Sequence, residues 1–157
     1  MIINKLQLID FKPELSGAFK TLNQWWIESY FVMEKADYEL LDHPQEAIID
    51  KGGVILFAMA GKHPVGVCAL IKSKIATYDF ELAKMGVLPD WHGRGIGFCL
   101  GTACLKRAKS LGAKTVFLES NTKLEAAMHL YLKLGFEKIE AFPTPYNRCN
   151  IQMLTHL

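Results

Sequence analysis

Trp91-His92-Gly93-Arg94-Gly95-Ile96-Gly97 sets three glycines at alternate positions between two different patterns. Upstream, Glu81-Leu82-Ala83-Lys84-Met85-Gly86-Val87-Leu88-Pro89 reads as a strand ended by proline. Downstream, residues 98–111 carry a helical pattern. A glycine-rich turn from strand to helix exposes several backbone N–H groups in one concavity. It also aims the positive end of the helix dipole there, and both effects favour a phosphate. Two familiar phosphate loops are excluded. The dinucleotide fingerprint needs glycine where Phe98 stands, and a P-loop needs Gly-Lys before Ser or Thr, which does not occur. The plainer reading is a tight turn that requires positive φ. Pro89, the cation of Arg94 and the helix starting among the glycines favour the phosphate. The expected occupant is the pyrophosphate of a coenzyme, so the chain reads as an enzyme.

Bulk properties narrow the class. The 157 residues give room for one domain, 1–157, with a sizeable core. A net charge of +2 with interspersed signs argues against nucleic acid, whose binders carry a basic face or stripe. No apolar run is long enough to span a bilayer, so no membrane partner is expected. The first residues lack a signal peptide's features. Cys68, Cys99, Cys104 and Cys149 form no Cys-x-x-Cys pair and fit no zinc spacing. A reducing cytoplasmic location follows as the simplest expectation. The five histidines are scattered, and no metal is expected.

Along the chain, residues 2–9 suggest a first strand, 13–30 a helix, and 34–49 a second helical region broken near Asp42 and Pro44. Strands follow at 54–59, 65–71 and 78–88, with a hairpin turn at Gly61-Lys62-His63-Pro64. The second half then alternates: helix 94–111, strand 114–119, helix 123–134, a strand from Phe136, and a last strand at 149–154. An antiparallel meander followed by strand–helix–strand units predicts a mixed α/β sheet. Parallel pairing is expected around the fourth and fifth strands, with helices on both faces.

On these motifs the chain resembles the GCN5-related N-acetyltransferase (GNAT) superfamily. The family's main motif, a strand ending in Val-x-Pro followed by a glycine turn, stands here as Val87-Leu88-Pro89 and His92-Gly93-Arg94-Gly95-Ile96-Gly97. A second block stands as Asn121, Ala127, Leu130-Tyr131 and Gly135-Phe136. The likeness is strong over residues 54–139. His92 departs from the pattern, standing where Gln or Arg is usual.

The resemblance implies acyl transfer, usually of acetyl, from acetyl-coenzyme A to the primary amine of a small molecule or peptide. It places the pantetheine arm along Met85, Gly86 and Val87, and the pyrophosphate on Gly93, Arg94, Gly95, Ile96, Gly97 and Phe98, beside His92. Asn121 bonds the arm, or is an N-cap or turn residue of the next helix, or serves both roles. An amine with pKa near 10.4 is neutral in roughly one molecule in a few thousand at pH 7, so a base helps. Glu81 is the candidate, against a reading as a solvated strand-edge residue; Glu34 and Glu119 are weaker alternatives. Alternation puts Glu81, Ala83, Met85 and Val87 on one face unless a bulge intervenes. Tyr131 stands where the family often has an acid for the leaving thiolate, and it equally packs the helix on the sheet. A strand bulge near Met85 to Val87, eased by Gly86, can turn a backbone N–H toward the thioester.

Trp25, Trp26, Tyr30 and Phe31, beside Glu28 and Glu34, are core or a wall of the acceptor pocket. Tyr146 and Arg148 can face the same pocket. Cys149 reads as packing rather than as a nucleophile. A competing function is a coenzyme A binding module without turnover, kept open by His92. Homodimer formation, common in the family, is compatible with either reading.

Overall fold

The computed structural model describes residues 6–157. Residues 2–5 of the first expected strand lie outside that range, and the strand described is β1 (Gln7–Asp10). It is followed by a short 3₁₀ turn, Pro13–Leu15, and then by α1 (Ser16–Tyr30) and α2 (Lys35–Leu41). One turn of π-helix, Gln45–Ile49, follows the expected break. Next come β2 (Val54–Ala60), β3 (His63–Lys72), β4 (Phe80–Val87), α3 (Ile96–Ser110) and β5 (Thr115–Ser120). The chain closes with α4 (Glu125–Lys133), β6 (Glu137–Lys138) and β7 (Ile151–His156).

The strands form one sheet in the order β1-β2-β3-β4-β5-β7-β6. The first four pair antiparallel, and β4 pairs parallel with β5. The alternating second half suggests that β6 lies beside β5, but β7 inserts between them, antiparallel to both. Helix α4 therefore carries the chain across one strand position that β7 later fills.

The near-continuous apolar runs of β2 and β3 arise because both faces are covered and side chains alternate between them. Val54, Leu56, Ala58, Cys68 and Leu70 meet Ile96, Leu100, Cys104 and Ala108 of α3. Ile55, Phe57, Met59, Val67, Ala69 and Ile71 meet Phe19, Leu22 and Ile27 of α1, with Leu41 and Ile48. Burying each large side chain contributes about 1.5–3 kcal/mol.

Two irregularities shape the middle of the sheet. Strands β4 and β5 pair only at Phe80↔Val116 and Glu81↔Phe117. Beyond that point they part, and the residues that follow on each strand face a shared cavity. The β3–β4 register also jumps from Val67↔Gly86 to Ala69↔Ala83, so Lys84 and Met85 together oppose Cys68. The bulge reverses the alternation: Ala83 packs on the α1 side, while Met85 and Val87 pack on the α3 side. The face that Glu81, Ala83, Met85 and Val87 would share without a bulge is therefore broken by this one. The left-handed residue is Lys84, with φ 52°, and not Gly86. What Gly86 supplies is close approach. A Cβ there would lie 2.7 Å from the Leu22 carbonyl oxygen and 3.1 Å from the Trp26 ring.

Gly86→Ala should therefore push α1 off the sheet and cost about 1–3 kcal/mol. Urea unfolding of the purified variant checks this, and a midpoint equal to wild type would refute the close packing.

Candidate functional site

A cavity of about 750 Å³ opens where β4 and β5 diverge. Its wall runs from Leu82 to Val87, through the glycine turn, across Ser120 and Asn121, and along the inner side of α4. At the turn, Gly93 (φ 74°) and Gly95 (φ 76°) adopt the left-handed conformation that non-glycine residues resist, and Gly95 is the N-cap of α3. Where a Cβ would stand at either position there is open space. The N–H of His92 bonds the Pro89 carbonyl and that of Cys99 bonds the Gly95 carbonyl. Between them, the N–H groups of residues 93–98 find no acceptor among the described residues. These orphan donors at a helix N-terminus form an anion cradle. Arg94 stacks over Trp91 at 4.5 Å, and Lys133 lies over the Phe98 ring at 4.4 Å, so two cations flank it.

His92 does not enter the cradle. Its Nε2 lies 2.7 Å from the Val87 carbonyl oxygen, which ties the turn to the end of β4. Asn121 sits just past β5 and is held by the protein itself. Its Nδ2 donates to the Arg148 carbonyl at 2.7 Å, and its Oδ1 accepts the Lys123 N–H at 2.8 Å. The N-cap of α4 is Leu124, so of the cap and turn readings Asn121 takes that of the turn residue.

Tyr131 takes the packing position expected of it and also reaches the cavity. Its ring packs edge-on against Phe136 at 6.2 Å, and it also lines the cavity. Burial, with a smaller contribution from Cys68, pushes its hydroxyl up to about 12, so it stays protonated. Glu81 lies off the cavity wall, beside β5. Burial and the Glu119 carboxylate push its carboxyl up to about 8, against the opposing pull of Lys84 and Lys74. Glu119 does line the cavity, with its oxygens accepting from the Thr144 hydroxyl at 2.8 Å and the Gln152 amide at 2.9 Å. Glu34 accepts the Asn147 N–H at 2.8 Å and the Arg148 guanidinium at 3.3 Å, so it anchors the segment before β7. The aromatic cluster divides: Trp26, Tyr30 and Phe31 line the cavity, while Trp25 is exposed. Cys149 reaches the wall, but burial and then Glu119 raise its thiol, which disfavours a nucleophile.

Sequence reasoning missed the ion cluster behind this wall. Asp37 is fully buried on α2. Its Oδ1 lies 2.5 Å from Lys84 Nζ, and its two oxygens take a forked pair of bonds from Arg148. Burial alone would raise the Asp37 carboxyl, but Arg148 and Lys84 outweigh it and hold it at about 2. The Tyr146 ring packs against both cations, with Lys84 Nζ and the Arg148 guanidinium each 4.7 Å from its centre. One signal was available. Glu34 and Asp37 stand three apart at a helix start and form a reciprocal capping box, a spacing that fixes the Asp37 carboxylate.

Comparison with known proteins places these features in context. The acetyltransferase (GNAT) family matches residues 19–136. An uncharacterized N-acetyltransferase of Escherichia coli, YjgM, is 35% identical over 79 residues, 49% of this chain and 47% of that protein. The chain spans about half the length of the curated relatives it matches. Among solved structures, a GNAT-family acetyltransferase of Staphylococcus aureus superposes with a TM-score of 0.85 at 18% identity, covering 97% of this chain and 99% of that one. A Bacillus subtilis acetyltransferase in complex with CoA superposes at 0.72 and 19% identity, covering 98% and 99%.

The two shifted carboxyls predict opposite pH dependences. Asp37, lowered from 3.8 to about 2, contributes stability above pH 3.8 that is lost as pH falls through 2, worth roughly 2 kcal/mol at neutral pH. Glu81, raised from 4.5 to about 8, contributes most below pH 4.5 and loses that contribution as pH rises through 8. In denaturant titrations the deficit of Asp37→Asn should shrink toward pH 2. Glu81→Gln should gain on wild type between pH 5 and 8.5.

Proposed function

The chain belongs to the acetyltransferase (GNAT) family, and from that premise we propose that it transfers an acetyl group from acetyl-coenzyme A to a primary amine. The acceptor is a small molecule or peptide, and it attacks directly with both substrates bound. The observation that carries this reading is the run of unsatisfied N–H groups at residues 93–98, open to a cavity that continues along the edge of β4. A diphosphate suits those donors, with Arg94 and Lys133 beside it. The pantetheine arm would follow the backbone of Met85, Gly86 and Val87. His92 already bonds the Val87 carbonyl, so that acceptor serves the arm only when the ring turns away.

When bound, the coenzyme supplies an acyl group activated as a thioester. The chain's own residues then manage charge and protons. Past Glu81 the β4 backbone has no β5 partner on the cavity side, so at the Lys84–Met85 bulge an N–H can face the carbonyl oxygen as it gains charge. Glu81 takes up the amine proton through water, since it stands behind the wall. With a carboxyl at about 8 it is a stronger base than an ordinary glutamate, but only its ionised fraction acts. Tyr131, protonated across the physiological range, donates its phenolic proton at the departing sulfur.

A second reading, a coenzyme A binding module without turnover, is favoured by Glu81 standing off the wall and His92 occupying Val87. Calorimetry with coenzyme A and thiol release with a panel of amines separate the two. Binding without turnover of any amine would select the module.

Gly95→Glu should abolish coenzyme A binding by filling the cradle with a carboxylate, at a backbone cost of about 1–2 kcal/mol. Calorimetry beside a thermal melt checks that binding and not folding is lost. Tyr131→Phe should lower turnover roughly tenfold, a modest loss because a thiol leaves easily. An unaltered rate would make Tyr131 structural. In wild type the rate should rise through pH 8, and Glu81→Gln should flatten that rise.

A further inference from the structure

We propose that Lys84 is a positioning residue whose ion pair with Asp37 holds the β4 bulge in the shape that presents its backbone to the acyl group. The proposal rests on the acetyl-coenzyme A reading above. It begins from strain: Lys84 is the only non-glycine residue with positive φ among the described residues. An L-residue in that region costs about 1–2 kcal/mol, and such strain persists only where the surroundings over-determine it.

The surroundings here are specific. The Lys84 side chain is 4% exposed, its Nζ lies 2.5 Å from Asp37 Oδ1, and the same nitrogen sits 4.7 Å over the Tyr146 ring. Asp37 is itself immovable. It accepts the Glu34 N–H at 2.8 Å within the α2 cap and takes the forked pair from Arg148. One carboxylate thus joins β4, α2 and the approach to β7.

Neutralising Asp37 does not require Lys84, because Arg148 already supplies a matched charge and two bonds. Net stability is a weak explanation as well, since a buried ion pair roughly breaks even against an apolar pair of similar size. What Lys84 adds is location. It pulls the bulge toward α2, while Gly86, two residues on, is pressed against the α1 backbone at Leu22. Met85 lies between these two anchors and on the cavity wall. Its flanking peptide groups are thereby held in one orientation.

Infrared difference spectroscopy of acetyl-coenzyme A labelled with ¹³C at the acetyl carbonyl tests the proposal without needing an acceptor. Wild type should lower the bound carbonyl's stretching frequency relative to free thioester, as a hydrogen bond to it would. Lys84→Met should still bind coenzyme A by calorimetry, the glycine turn being untouched, yet lose that shift. Asp37→Asn removes the same pair from the other side, should lose the shift too, and serves if Lys84→Met does not fold. A wild-type shift retained in the folded variant overturns the proposal. So does the absence of any shift in wild type that binds, since nothing is then being positioned. Failure of wild type to bind acetyl-coenzyme A would instead remove the coenzyme reading on which the proposal stands.

Discussion

Strands β4 and β5 run side by side for two residue pairs and then separate. Everything chemical in the molecule depends on that separation. Inside a sheet, backbone N–H and C=O groups are consumed by neighbouring strands. Where two central strands part, those groups become available, and the gap is too deep in the fold for bulk solvent to be the only partner. The glycine turn lies at the head of the gap, α4 along one side, and the segment before β7 at its inner end. The sheet is thus both the scaffold of the cavity and part of its lining.

Charge is sorted along this gap. The outer end offers backbone donors, Arg94 and Lys133, a setting for an anion. The inner end offers Lys84, Arg148 and Glu119 on the wall, with Asp37, Glu34 and Glu81 behind it. Most of these inner groups are satisfied by one another. Glu81 is the exception in kind: no close cation neutralises it, and burial drives it toward the protonated form. A carboxyl so placed exchanges protons near neutrality, where Asp37, paired with Arg148 and Lys84, stays ionised.

The glycine turn was legible in the sequence because its signal is local. Gly93 and Gly95 are needed for their own φ values, and a strand ended by Pro89 and a helix opened at Ile96 sit directly beside them. Tyr131 was singled out through its place in the block Leu130-Tyr131 and Gly135-Phe136, which packs the helix end on the sheet. The inner end was not, since its geometry joins residues more than a hundred positions apart, such as Asp37 and Arg148. A bulge was expected near Met85 to Val87 from the family resemblance, but its place at Lys84 and Met85 was hidden for a related reason. Register is a property of two strands, and Glu81 to Val87 alone cannot reveal that Cys68 faces two residues instead of one. Gly86 was read as supplying flexibility, whereas it makes room for α1, a packing demand invisible without the helix in place. The position of β7 between β5 and β6 was hidden likewise, because the helical crossover after β5 is compatible with either neighbour.

That late insertion has a bearing on how the molecule comes into being. As a chain leaves the ribosome from its N-terminus, β5 and β6 are made first, and the slot between them waits for residues 151–156. Arg148, emerging only just ahead, then meets a carboxylate made over a hundred residues earlier. The inner wall thus completes itself only once residues 146–156 have been made. A nascent chain can hold the glycine cradle while the opposite end of the cleft is still unbuilt.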